Sequence, residues 1–162
     1  INEIIIIDNK PDNTIKFKQP KVRTYTKGHN IYVNPAWNWG VQLAKSDNVI
    51  IANDDLLFNK PQLTQLLNVV SNMLMDDMVI GPDQNSFNSG GLGSINIQKQ
   101  ISDFTYGFGT FMICKRSSYV MIPNDILIFH GDVIQYTVNQ PYIFNGVNIK
   151  TPMSQTLKSD KQ

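Results

Sequence analysis

Asp54 and Asp55 stand side by side at the end of the apolar run "NVIIANDD", and Asp8 closes a second such run, "EIIIID". Adjacent carboxylates repel each other. A hard divalent cation with oxygen ligands removes that penalty, and it needs only one or two protein carboxylates when substrate phosphates supply the other ligands. A nucleotide diphosphate is the natural completing ligand. The competing reading is structural: Asp54 and Asp55 cap the turn before Pro61, and Asp8 caps its own turn, as acids commonly do.

The elements that must position these acids follow from the apolar pattern. Ile4 to Ile7 is β-branched throughout and apolar on both faces, which predicts a central strand in a covered sheet. A short strand is expected at Val22 to Tyr25. "NPAWNWGVQLAKS" reads as a helix with Asn34 as N-cap and Pro35 in its first turn. "NVIIAND" is a second buried strand. "KPQLTQLLNVVSNMLM" is a second helix, with Leu63, Leu66, Leu67, Val70, Met73 and Leu74 at helical spacing. "MVIGPD" and "TFMICKR" read as further strands, "DILIF" as a fifth, and "GDVIQYTVNQ" as a helix opening at Asp132. The glycine-rich "QNSFNSGGLGS" reads as a loop or flexible lid, and it lacks the strand and helix that a phosphate-binding fingerprint requires. Alternating strands and helices predict a three-layer α/β/α sandwich on a mostly parallel sheet. Ligands in such sheets sit beyond the carboxyl ends of the strands, where Asp8, Asp54 and Asp55 fall.

Composition narrows the classes further. The 162 residues fit one domain, residues 1–155, followed by a polar tail, 156–162. Fourteen basic residues against 13 acidic ones leave a formal charge of +1, too weak a field to recruit nucleic acid or an anionic membrane. One cysteine, Cys114, excludes an intramolecular disulfide and fits a reducing compartment. With no apolar run of roughly 18 residues, a cytoplasmic protein is expected.

The stretches "EIIIIDNKPDN", "NPAWNWGVQLAKSDNVIIANDDLLF" and "GFGTFMICKRSSYVMIPNDILIFHGDVIQ", in that order, resemble the nucleotide-diphosphate-sugar glycosyltransferases of the GT-A fold, particularly family 2. The resemblance spans roughly residues 3 to 137. It implies a metal-dependent transfer of a sugar, with inversion, from a uridine diphosphate sugar such as uridine diphosphate glucose. The acceptor hydroxyl could belong to a glycan, a lipid, a protein or a modified nucleic acid. By the same resemblance Asp8 reads the donor base, Asp54 supports the ribose or the metal, and Asp55 binds Mn2+ or Mg2+. Asp132 matches the general base, although a helix N-cap would also explain an acid there. Tyr106 and Gly107 fall in the stretch that lines the sugar pocket in similar proteins. Asn38 and Gly40 match an "NxG" in which a small residue brings helix and sheet together.

The chain also departs from that pattern. Similar proteins begin with an earlier strand, so the resemblance implies a minimal or N-terminally truncated form. Trp37 replaces a basic residue that often contacts the diphosphate, leaving Lys27 or Lys45 to compensate. "NIKTPMSQT" lacks the late histidine that completes many metal shells. Those absences keep a second reading open, a nucleotide-sugar binding module that no longer transfers. Of the aromatic residues Trp37, Trp39, Tyr106 and Phe108, each could stack on a sugar or base; Trp39 is expected in the core.

Overall fold

The computed structural model describes residues 1–10, 17–89, 93–101 and 104–151. The expected lid is described only at its two ends, and the polar tail 156–162 lies outside the described residues.

Strands β1 (Ile4–Ile7) and β2 (Val22–Tyr25) form a two-stranded parallel sheet of their own. Helix α1 (Val33–Leu43) then leads to β3 (Asn48–Ala52), a short β4 (Leu57–Phe58) and helix α2 (Lys60–Met73). The second half supplies β5 (Met78–Pro82), β6 (Asn96–Lys99), β7 (Phe111–Lys115), helix α3 (Gly131–Val138), β8 (Gln140–Asn145) and β9 (Ile149–Lys150). The main sheet has the order β3-β7-β5-β8-β6, and β4 pairs with β9 in a small antiparallel ribbon.

Side chains alternate across the main sheet with the two-residue period of a strand. Val49, Ile51, Val79, Met112, Cys114 and Ile143 meet Val41 of α1 and Tyr136 of α3 on one face. Met78, Ile80, Phe111, Ile113 and Phe144 meet Leu66 and Val70 of α2 on the other. Helices therefore cover both faces of a mixed α/β domain. The expected mostly parallel sheet is not what forms: within the five-stranded sheet β5 and β8 alone pair in parallel, while β3 with β7, β7 with β5 and β8 with β6 are antiparallel. Phe111 to Cys114 is buried on both faces, so β7 needs a central place, and it enters between β3 and β5 from the opposite end. Apolar periodicity marks a strand without naming its neighbour, and that is where the expectation failed.

Helix α1 rests on both sheets. Gly40 lies over Ile7 of β1, while Val41 joins the core with Val49 and Ile51 of β3. Neither β1 nor β3 is the fully covered strand expected: β1 pairs only with β2 and is nowhere fully buried, β3 is an edge strand buried only at Val49 and Ile51, and the outer edge of each has no strand partner among the described residues. Trp39 sits edge-on to Tyr25 of β2 at 6.0 Å, with the Lys27 ammonium 4.4 Å from its ring centroid, so that lysine stacks on an aromatic ring. Trp37 is the tryptophan packed against the core.

Two local expectations are corrected. "DILIF" is a loop, because the carbonyls of Ile126, Leu127 and Phe129 bond to Asn34 instead of to a strand. Helix α1 starts at Val33, and Asn34 does not cap it. Gly40 is also less constrained than the "NxG" match implies. A Cβ there would meet only Ile7 Cγ1, at an ordinary 3.7 Å. Gly40→Ala is therefore expected to stabilise the fold by about 0.5–1 kcal/mol through helix propensity, read as a higher midpoint in urea unfolding. Among the described residues, no helix is long and apolar enough to cross a membrane.

Candidate functional site

Glu3, before β1, accepts the backbone N–H of Lys45 at 2.6 Å, just past the end of α1. Beyond the other end of β1, Asn9 donates to Tyr32 O (3.2 Å) and accepts from Ile31 N–H (3.2 Å), just before α1 begins. Strand β1 thus runs against α1, as β3 does on its return. The carboxyl ends of both strands fall at the end of the domain where α1 starts.

Three groups of predicted site residues lie towards that end, without touching one another in any hydrogen bond or ion pair among the described residues. Asp8 follows β1 and is buried; its Oδ1 accepts the Lys10 N–H at 2.9 Å, the turn-capping geometry of an aspartate. Asp54 and Asp55 form the turn between β3 and β4, Asp54 exposed and Asp55 half-buried. They do not cap the helix that follows, since Asn59 accepts the Gln62 N–H and Pro61 occupies the first turn. Asp55 Oδ2 accepts from the Thr151 hydroxyl at 3.3 Å, whereas its Oδ1 is buried with no hydrogen-bond partner. Thr151 in turn bonds to Asn88: its N–H donates to Asn88 Oδ1 at 3.2 Å, and its carbonyl accepts from Nδ2 at 3.0 Å. Residues after β9 therefore do reach the acid pair, through a threonine.

Asp132 belongs to the same end of the domain. It lies in the first turn of α3, where His130 is the N-cap, and its Oδ1 accepts the Val133 N–H at 3.0 Å. Its carboxyl stands so close to Gly109 that a Cβ there would come within 2.5 Å of Asp132 Oδ2. Gly109 belongs to a 3-10 turn, Phe108–Thr110, and Thr110 O accepts the Asn53 N–H at 2.9 Å. That turn is the bridge: one side carries Asp132, the other side holds the end of β3 that leads into Asp54 and Asp55. Burial raises the Asp132 pKa above the ordinary carboxylate value, against smaller lowering effects from the amides of Val133 and Gly109 and from His130.

Gly107 opens the same turn at φ 81°, a left-handed backbone that suits glycine, and Thr110 Oγ1 donates to its carbonyl at 2.7 Å. A Cβ at Gly107 would also strike the Phe87 ring. Tyr106 projects with 62% of its surface exposed, open to a ligand. Phe108 is fully buried and packs on Tyr136 and Phe104, so it belongs to the core and is not a stacking platform. Cys114, on β7, is buried in the core on one face of the sheet, which pushes its thiol up to about 12 and leaves no thiolate nucleophile.

A hard cation fits this donor set in a limited way. Among the described residues no group of three His, Cys, Asp or Glu side chains gathers, so the protein offers the carboxylates of Asp55 and its neighbour Asp54. The unpartnered Asp55 Oδ1 is an anionic acceptor without a donor, a costly arrangement that a cation or a ligand proton would relieve. Phosphate and water oxygens would have to complete the shell.

Sequence reasoning missed Gly109 and Thr151 and gave Asn34 the wrong role, that of an N-cap. Asn34 and Asn38 carry a readable signal, because their spacing puts both amides on the same helix face as Val41, where an unpaired polar group would be costly. Gly109 and Thr151 carry none, since their roles depend on contacts with residues far along the chain. No protein-family model matches the chain, and no curated protein is similar to it.

Proposed function

We propose that the chain is a metal-dependent glycosyltransferase that moves a sugar from a uridine diphosphate sugar to an acceptor hydroxyl, with inversion at the anomeric carbon. One observation carries the reading. Asp54 and Asp55 follow the end of β3, Asp132 is tied to that same strand end through the Phe108–Thr110 turn, Asp8 follows the end of β1, and Asp55 has a buried oxygen with no partner.

Each group has a task in that reaction. Asp8 faces the donor base from the end of β1, and Asp54 and Asp55 would hold Mn2+ or Mg2+. Bound there, the cation would offset the negative charge that develops on the leaving diphosphate. Asp132 accepts the proton of the acceptor hydroxyl as that oxygen forms its bond to the anomeric carbon; the bond from that carbon to the phosphate oxygen breaks, and its electron pair leaves with uridine diphosphate. Tyr106 and Gly107 line the donor sugar. A carboxylate with a raised pKa is the stronger base for this step, and burial supplies that raised value against the smaller lowering effect of the neighbouring amides and His130.

Calorimetric titration of uridine diphosphate, with and without Mn2+, tests the reading. Wild type should bind the nucleotide only when Mn2+ is present, and Asp55→Ala should lose at least tenfold in affinity while unfolding as wild type does. Equal affinity with and without the metal, in both proteins, sinks the assignment. Metal-dependent binding without transfer to any acceptor would favour the binding module.

A further inference from the structure

Asn34 is fully buried at the start of α1, yet it neither caps that helix nor faces the acid pair. It spends every N–H it has on one segment of chain. Its side-chain Nδ2 donates to Ile126 O and to Phe129 O, both at 3.0 Å, and its backbone N–H donates to Leu127 O at 2.9 Å. Three carbonyls within four residues are thereby fixed to one helix. Asn38, one turn on, binds the start of the same segment: its Nδ2 donates to Ile122 O at 2.8 Å, and its Oδ1 accepts from Ile122 N–H (3.0 Å) and the Tyr119 hydroxyl (2.9 Å).

The contrast between the two asparagines is informative. Asn38 satisfies its oxygen, whereas Asn34 Oδ1 is buried with no hydrogen-bond partner and lies against Gly131. A Cβ at Gly131 would collide with the Asn34 amide and with Ile122 Cδ1, so the first residue of α3 seats directly on that side chain. Between the Phe129 carbonyl and Gly131 there is one residue, His130, held at φ 65°, a left-handed conformation unfavourable to a histidine. Its carbonyl accepts the Ile134 N–H at 3.0 Å and starts α3. The next residue after Gly131 is Asp132. An unfavourable backbone two residues before Asp132, and an unsatisfied buried oxygen against the residue just before it, persist only where the surroundings fix them.

We infer that Asn34 is the positioning residue for Asp132: by holding residues 126–129 and seating Gly131, it fixes the first turn of α3 so that the Asp132 carboxyl is pressed against Gly109. This rests on the proposed glycosyl transfer only for its effect on rate; the placement of the carboxyl does not depend on it. The groups that act on Asp132 electrostatically are the Val133 and Gly109 amides, its own N–H and His130, and none of them belongs to α1. A change at Asn34 therefore reaches Asp132 through its position and the burial that position gives it, not through a direct charge or hydrogen bond.

The test is a carboxyl 13C NMR titration of Asp132 in wild type, Asn34→Ala and Asn38→Ala, with uridine diphosphate affinity and kcat measured beside it. Asn34→Ala should lower the Asp132 midpoint towards that of an exposed carboxylate and reduce kcat at least tenfold, with nucleotide affinity within twofold of wild type. Asn38→Ala, which loosens the far end of the segment, should lose stability with little movement of that midpoint. Gly131→Ala, which displaces the Asn34 amide without removing its donors, gives the same reading should Asn34→Ala fail to fold. A folded Asn34→Ala or Gly131→Ala protein with the wild-type Asp132 titration overturns the inference. A moved midpoint in a protein whose wild type transfers no sugar upholds the positioning and refutes the glycosyl-transfer reading instead.

Discussion

Asp132→Asn should abolish sugar transfer while leaving metal-dependent uridine diphosphate binding as it is in wild type. The expected loss in kcat is about 10²–10⁴-fold, the usual contribution of a general base, measured as transfer to any acceptor the wild type accepts. An asparagine keeps the volume beside Gly109 and can still accept the Val133 amide, so the change removes proton acceptance and little else. In wild type the rate should fall as pH drops through the Asp132 pKa, on a limb displaced upward from the ordinary carboxylate range because burial disfavours the charged form.

Stability should respond in the matching direction. A carboxyl whose pKa is raised by folding contributes stability that is fully present below its unfolded pKa and lost as pH rises through the folded one. Asp132→Asn has no charge to bury, so it should be more stable than wild type above that folded pKa, and the gap should close towards acid pH. Urea unfolding across that range reads the difference. A variant that transfers at the wild-type rate, or whose acid limb is unmoved, removes Asp132 from the base role.

The second large effect is on folding. Phe108→Ala should destabilise the domain by about 3–5 kcal/mol, the usual cost of deleting a buried aromatic ring. For a chain of this length that corresponds to a melting temperature lower by roughly 6–20 °C. Phe108 has no exposed surface, and its ring centroid lies 5.0 Å from that of Tyr136 and 6.0 Å from that of Phe104, in edge-on and tilted contacts. A Cβ at Gly81 would come within 2.5 Å of the Phe108 ring, so that ring also fills the space over β5. Because Gly109 follows it directly, the void would loosen the turn that joins Asn53 to Asp132. Uridine diphosphate should still bind the folded fraction with unchanged affinity. Loss of binding without loss of stability would instead make Phe108 a stacking platform, contrary to its burial.

Much of the secondary structure was legible because local chemistry fixes it. The Ile4–Ile7 and Val22–Tyr25 strands and the α2 periodicity follow from β-branching and helical spacing within a few residues. The acids at strand ends were legible for the same reason: a carboxylate after an apolar run marks where a strand stops. Strands β6 and β8 and the β4–β9 ribbon were not legible, since short polar or mixed segments such as "NIQK" become strands only when a neighbouring edge takes up their backbone hydrogen bonds.

By itself the sequence determined the longer apolar strands and the α2 helix, the charge balance, and the positions of Asp8, Asp54, Asp55 and Asp132 along the chain. Tertiary structure alone decided that β7 separates β3 from β5, that "DILIF" bonds to Asn34 instead of forming a strand, and that Gly109 and Thr151 meet acids dozens of residues away. The division has one physical cause. Local propensities act over a single turn or strand, whereas pairing, burial of a polar side chain and the pKa of a carboxyl depend on which distant atoms exclude water from it.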